Sequence, residues 1–350
     1  IAITLDTGGI VYANYLSGSG TNTLTFRYVV QSGTQDLTGI VTAAAIDVNG
    51  GTIKDAATNI ASGTGLDLTG EPSTAGIDID AIVPAVASVT VPANGTYGTA
   101  TDLDFTVNFT KAVLVNTAGG TPYLSVTLDT GGTVDAAYVS GSGSTALTFR
   151  HVVVSGELDT TGITVGALSL NGATIRDAAT NSATLTLNSV GSTANVLVDA
   201  VPPTANAINI SGTSPNNAAS DAFTVTFSTA VNGVDSTDFT VVGSGTASGT
   251  VMSVSGSGTT WTVTVGGVTG DGTLRLDLNT SGSAITDNYG NVLTAAHTGD
   301  QSYTVQHTAP AVTGVTVPST ATYVSGQDLD FTTTFSEAVT VDTSGGTPRI

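Results

Sequence analysis

Cysteine is absent from the 350 residues, so neither a disulfide framework nor thiol chemistry serves this chain. Basic residues are scarce: seven Lys and Arg stand against 27 Asp and Glu, for a formal net charge of −20. A chain of that sign repels phosphate backbones and anionic bilayers, which excludes nucleic acid and membrane insertion as modes of action and suits a cation-rich exterior. No apolar run reaches the roughly 20 residues of a spanning helix, and no secretory leader is evident, as expected of a segment cut from a longer array. Lys and Glu, the usual helix-surface residues, are nearly missing, and Gly, Thr, Ser, Val and Ala dominate instead. That palette builds strands and tight turns.

What the chain has in abundance is itself. Leu24-Thr25-Phe26-Arg27 returns as Leu147-Thr148-Phe149-Arg150, and Ile53-Lys54-Asp55-Ala56-Ala57-Thr58-Asn59 as Ile175-Arg176-Asp177-Ala178-Ala179-Thr180-Asn181. A third copy keeps the skeleton Ile285-x-Asp287-x-x-x-Asn291. A second marker recurs as Phe109-Thr110-Lys111-Ala112-Val113, Phe227-Ser228-Thr229-Ala230-Val231 and Phe335-Ser336-Glu337-Ala338-Val339. Thr347-Pro348-Arg349-Ile350 continued into Ala2-Ile3-Thr4-Leu5-Asp6-Thr7-Gly8-Gly9 reproduces the run from Thr121 to Gly132. The chain therefore reads as one turn of a longer period, and arrays serve reach and surface more often than chemistry.

Prolines 84, 202, 203 and 310 punctuate the joints. Leu103, Phe105, Val107 and Phe109 alternate with Asp104, Thr106 and Asn108; Phe223, Val225 and Phe227 repeat the pattern, as do Leu329, Phe331 and Thr333. Trp261, Val263 and Val265 form another such face, and Leu274, Leu276 and Leu278 another. Period two broken by turns predicts an all-β chain of tandem immunoglobulin-like antiparallel β-sandwich domains, arranged end to end, with roughly seven strands each. The expected units are 1–83, the C-terminal part of a repeat completed by a segment equivalent to 310–350; 84–202, a whole repeat; 203–309, a diverged one; and 310–350, the N-terminal part of the next.

These residues resemble the bacterial immunoglobulin-like tandem repeats of giant secreted adhesins and of surface-layer or filament proteins. The resemblance rests on Phe335 to Val339, on Ile285-Thr286-Asp287-Asn288-Tyr289-Gly290-Asn291, and on the joint Asp80-Ala81-Ile82-Val83-Pro84, and covers essentially the whole chain. It implies an extracellular or cell-surface location, export of the type I kind, and a structural role in cell adhesion and biofilm. Three readings stay open: an extended stalk or fibre segment, a self-assembling subunit of a filament or surface layer paired to like chains through Thr- and Val-rich edges, and a glycan-binding module. Tyr12, Tyr15 and Tyr28 cluster for the last, but only Tyr15 has an aromatic counterpart, Tyr138.

Catalysis finds little footing. His151, His297 and His307 fall in different repeats or at a joint, and no G-x-S-x-G elbow, H-E-x-x-H, P-loop or Rossmann glycine pattern occurs. His151 stands where the sister repeat has Tyr28, which predicts a strand-surface residue, and Asp102 with Asp104 reads as surface acids. Calcium is the candidate cofactor, because carboxylates and amide carbonyls gathered at a joint are hard oxygen ligands. The candidate ligands are Asp78, Asp80, Asp177 and Asn181 at one joint and Asp199, Asp287 and Asn291 at the next. Two features compete with it. Lys111 faces the most acidic joint and can neutralise it directly, and Asp and Asn in an I-x-D-x-x-x-N loop satisfy their own backbone. At the last joint Gln306 and His307, not acids, meet Glu337. An isopeptide crosslink is improbable with Lys54 and Lys111 the only lysines.

Overall fold

Alternation along single strands decides where the core lies. The computed structural model describes residues 1–68 and 70–350, is all-β apart from two short 3-10 turns among the described residues, and divides into two compact units, Ile1–Val201 and Pro202–Ile350.

In the first unit the 15-residue strand Asp102–Asn116 organises the fold. Leu103, Phe105, Val107 and Phe109 are buried from it, while Asp102 and Asp104 face water. It pairs with Ser144–Val152 as far as Asn108, shifts register before Val113, and then takes Thr174–Arg176 as its partner. The Phe109-to-Val113 marker is thus the bulge where one strand changes neighbours, which explains its recurrence. The sheet runs in the order Thr164–Ser169, Tyr123–Thr127, Thr133–Ser140, Ser144–Val152, Asp102–Asn116, Thr174–Arg176, with Val86–Thr90 also on the long strand. A second sheet holds Leu158–Asp159, Val196–Asp199 and Gly95–Tyr97. Val196 and Val198 of that sheet join Phe105, Leu124, Leu147 and Phe149 of the other in one core. Gly95–Tyr97 lies parallel to Val196–Asp199, so the sheets are not purely antiparallel. The chain crosses between sheets at Pro92, which has no N–H for a ladder. At the tight Ser140–Gly143 turn, Gly141 has φ +108°, and a Cβ there would strike the Ala146 carbonyl.

Residues 1–80 repeat the part of this pattern that runs from Tyr123 onward. Tyr15↔Phe26 and Asn14↔Arg27 pair as Tyr138↔Phe149 and Ala137↔Arg150 do. Ala2↔Tyr12 matches Ser125↔Asp135, and Asp36↔Ile79 matches Asp159↔Val198. Their core is small, Ile3, Leu5, Ala13, Ile40 and Ile79.

In the second unit Ser220–Phe227 lies between Ala205–Ile210 and Thr260–Thr269, with Ser248–Ser257 at the edge. Phe239–Gly243, Asp271–Leu278 and Ser302–Gln306 form a facing sheet. Phe223, Val225, Val263, Leu274, Leu276 and Tyr303 share its core. The hairpin Val312–Thr316 with Thr332–Phe335 follows. There the sequence expectation needs correcting in one respect. Leu329 and Phe331 alternate as core residues do, yet both are exposed, because nothing in 310–350 corresponds to the strands that cover Leu103 and Phe105.

Candidate functional site: a lysine-centred joint

The strand bulge at Phe109 to Val113 turns Lys111 towards the segment that arrives from residues 79–82. Its ammonium donates to Asp80 Oδ1 at 2.7 Å and Oδ2 at 2.6 Å, to the Ile82 carbonyl at 2.8 Å and to Asp177 Oδ2 at 2.9 Å. Asn181 closes the ring: its side-chain amide donates to the Asp80 carbonyl and to Asp177 Oδ2, both at 2.9 Å, and its N–H donates to Asp177 Oδ1 at 2.8 Å. Gln35 braces Asp80 Oδ1 from the far side at 3.2 Å. Four of the predicted ligand residues therefore meet in part. Asp80, Asp177 and Asn181 converge, whereas Asp78 is exposed and makes no hydrogen bond to Lys111 or Asn181.

One ammonium faces two carboxylates at this joint. Burial alone pulls the Lys111 pKa down, but the hydrogen bonds it donates to Asp80 and Asp177 and their negative charge reverse that and leave it raised. Burial pushes Asp177 up, and the Asn181 and Lys111 hydrogen bonds outweigh it, leaving its carboxyl below the usual range. Both groups stay ionised around neutrality, and an ammonium held charged is no nucleophile for an amide crosslink. The lysine takes the place between carboxylates that a cation would need, so calcium does not fit this joint without displacing it. Among the described residues no group of three or more His, Asp or Glu side chains gathers as a metal cage.

The other predicted ligands sit in separate surroundings. Asp287 and Asn291 are buried; Asn291 donates through its N–H to Asp287 Oδ1 at 2.9 Å and through its side chain to Oδ2 at 2.8 Å, and the Tyr289 N–H also reaches Oδ1. Asp177 and Asn181 repeat this turn, and an exposed third copy joins Asp55 to Asn59. Turn stabilisation therefore accounts for most of the acceptor capacity of Asp287. Replacing Asn291 with alanine keeps the two backbone donors to Oδ1 but removes the side-chain donor to the buried Oδ2, and a loss of about 1–3 kcal/mol is expected in urea unfolding. Asp199 ends the strand Val196–Asp199 and accepts from the Val201 N–H; it belongs to the first unit, Asp287 to the second.

The histidines hold local partners. His151 Nε2 lies 3.0 Å from Glu157 Oε2 and is mostly buried, so it is not the strand-surface residue the sequence suggested. Glu157 replaces Thr34 of the sister repeat just as His151 replaces Tyr28, a paired exchange that a reading of single positions overlooks. His297 contacts Asp300 Oδ2 at 2.9 Å, and His307 Nδ1 the Gly270 carbonyl at 3.0 Å. Asp102 and Asp104 both pair with Arg150, at 2.5 and 2.7 Å. Tyr12 and Tyr15 are exposed, Tyr15 edge-on to Phe26, and Tyr28 is half-buried.

One joint device was missed in the sequence. The second residue of each Phe-x-x-Ala-Val marker is a hydroxyl, and it captures the residue after the joint proline. Thr110 Oγ1 accepts from the Ala85 N–H at 3.1 Å, Ser228 Oγ from Thr204 at 2.9 Å, and Ser336 Oγ from Ala311 at 3.0 Å. The backbone N–H of each hydroxyl residue donates back to the same partner's carbonyl. The signal was legible in the invariant Thr or Ser, but its partner lies about 25 residues away, beyond any local pattern. Thr110→Val is expected to cost about 1 kcal/mol, read as a lower urea midpoint with an unchanged slope. At the last joint Asp271 Oδ1 accepts from the His307 and Thr308 N–H groups at 2.7 and 3.0 Å, and Gln306 hydrogen-bonds Glu337.

Compared with models of protein families the chain matches none, and a comparison with the curated proteins finds no match either.

Proposed function

We propose that this chain is a structural and adhesive segment of a very large secreted bacterial surface protein, with immunoglobulin-like sandwiches in series acting as an extended stalk. The observation that carries the reading is the Lys111 joint. Four hydrogen bonds through Lys111 and Asn181 tie the end of one β-segment to the bulge and turn of the next. A joint held by side chains from three separate stretches resists bending better than a bare peptide linker. The proline and captured-hydroxyl arrangement at residues 84–85, 203–204 and 310–311 supports the same mechanical role.

Small-angle scattering on the whole chain tests the reading. An elongated particle whose maximum dimension survives chelator agrees with a stalk fixed by packing and Lys111. A compact particle overturns it. Calcium uptake by this acidic chain is a separate part of the proposal: calorimetry that detects none at millimolar calcium removes it.

A further inference from the structure

Strand Ser220–Phe227 carries one residue that its sister strand does not lead one to expect. With the Phe-x-x-Ala-Val markers superposed, Phe227 matches Phe109, Val225 matches Val107 and Phe223 matches Phe105, so Asp221 takes the seat of Leu103. Leu103 is fully buried, and Asp221 is only 5 % exposed. An apolar core position has become a carboxylate, which burial disfavours unless its charge is compensated.

The chain compensates half of it. Asp221 Oδ1 accepts from the Asn216 side-chain amide at 2.9 Å, whereas Oδ2 is buried without a hydrogen-bond partner. The neighbouring donors are already committed. The same Asn216 amide also donates to the Thr213 carbonyl at 3.0 Å. The Tyr303 hydroxyl donates to the Ala222 carbonyl at 2.8 Å and accepts from the Ser211 N–H at 3.0 Å. His307 spends its N–H on Asp271 and places Nδ1 against the Gly270 carbonyl. Burial raises the Asp221 carboxyl above its ordinary 3.8, and the Asn216 hydrogen bond and the His307 charge do not offset it.

Asp221 also lines a cleft of about 200 Å³, to which Ser211, Thr213 and Ser220 bring neutral hydroxyl oxygens. It is the sole acid among the lining residues. A divalent ion there would leave one positive charge uncancelled beside the core, whereas a monovalent ion cancels the carboxylate. We propose that the Asp221 cleft binds one small monovalent cation, of sodium, potassium or ammonium size, with Asp221 Oδ2 as its anchor and neutral oxygens completing its shell. An apolar contact of the sister repeat is thereby replaced by an ion-dependent one, and the stability of residues 203–309 follows the cation. The proposal stands apart from the stalk reading and from calcium, because it requires only this cleft.

Urea unfolding of the whole chain at pH 7 is the test, with ionic strength held constant by choline, whose quaternary ammonium is too bulky to reach Oδ2. Trp261, the single tryptophan, pairs with Val225 across the ladder, so its fluorescence reports this sandwich. Replacing choline with sodium, potassium or ammonium is expected to raise the midpoint. Above the dissociation constant, tenfold more cation gives about a tenfold higher ratio of folded to unfolded chain. The order among the three ions separates an alkali-metal site from an ammonium site. Asp221→Asn keeps the shape and removes the charge, and Asp221→Leu restores the sister residue. Both are expected to match or exceed wild-type stability in choline and to lose the cation response. Acidification is expected to weaken the wild-type response, because a proton on Asp221 or on His307 opposes the cation; Tyr303, the other titratable group facing Asp221, stays neutral throughout. An equal response in wild type and Asp221→Asn overturns the proposal, as does a wild-type midpoint indifferent to the exchange of choline. A stronger response to calcium that Asp221→Asn abolishes overturns the monovalent assignment.

Discussion

Phe149→Ala is expected to destabilise residues 84–200 by about 3–5 kcal/mol, while Phe26→Ala at the equivalent seat costs less than half as much in dilute solution. The two phenylalanines have the same local setting. Phe149 meets Tyr138 edge-to-face at 5.9 Å, and Phe26 meets Tyr15 the same way at 6.1 Å. They differ in what lies over them. Phe149 is fully buried beside Phe105, its direct partner in the sheet, whereas Phe26 is only half-buried. Truncating Phe149 therefore removes transfer energy and leaves a cavity that a close-packed interior cannot collapse; truncating Phe26 opens a space that water already reaches. Amide hydrogen exchange on the intact chain resolves the two costs separately, because each segment reports its own opening. Equal costs at low concentration would show that Phe26 is covered in solution and that the open face is not open.

Strand content and the alternating faces were legible because they depend on local periodicity. Phe105, Phe223 and Leu276 lie in cores as their spacing predicts. The parallel pairing of Gly95–Tyr97 was not legible, since a strand that changes sheets leaves no mark in its own alternation. Among site residues, the direct neutralisation of Asp80 by Lys111 followed from counting charges on facing loops, and the structure brings both together with Asp177 and Asn181. Asp78 was grouped with them only by nearness in sequence; two residues along a strand is enough to place it outside the cluster. The Thr110, Ser228 and Ser336 contacts and the His151–Glu157 pair needed the third dimension, because each joins residues that no short motif connects.

Lys111→Met is the substitution expected to damage the joint most. Methionine fills similar space, so the loss is chiefly electrostatic: Asp80 and Asp177 remain, the latter with only 3 % of its side chain exposed, and nothing neutralises them. Removing one partner of a largely buried pair costs about 3–5 kcal/mol, and the partial exposure of Lys111 places this case near the lower end. The pH dependence separates this loss from simple misfolding. In the wild type the Asp177 carboxyl is depressed below its ordinary 3.8, so its contribution is present above that value and fades as pH falls through the folded pKa. Lys111 is raised above its ordinary 10.5, so its contribution holds below that value and fades only as pH rises through the higher folded pKa. Between these limits the wild-type joint is flat with pH. Without the ammonium, Asp177 keeps its burial and loses a compensating charge, so the variant regains stability on acidification and the gap to wild type narrows towards pH ~4. The same reasoning extends to calcium. Asp80, Asp177 and the Ile82 carbonyl are hard oxygen donors held around the vacated position. Millimolar calcium is therefore expected to raise the unfolding midpoint of Lys111→Met and leave the wild-type joint unchanged. A calcium response of equal size in both proteins would show that the ion acts elsewhere and that Lys111 is not standing in for a cation.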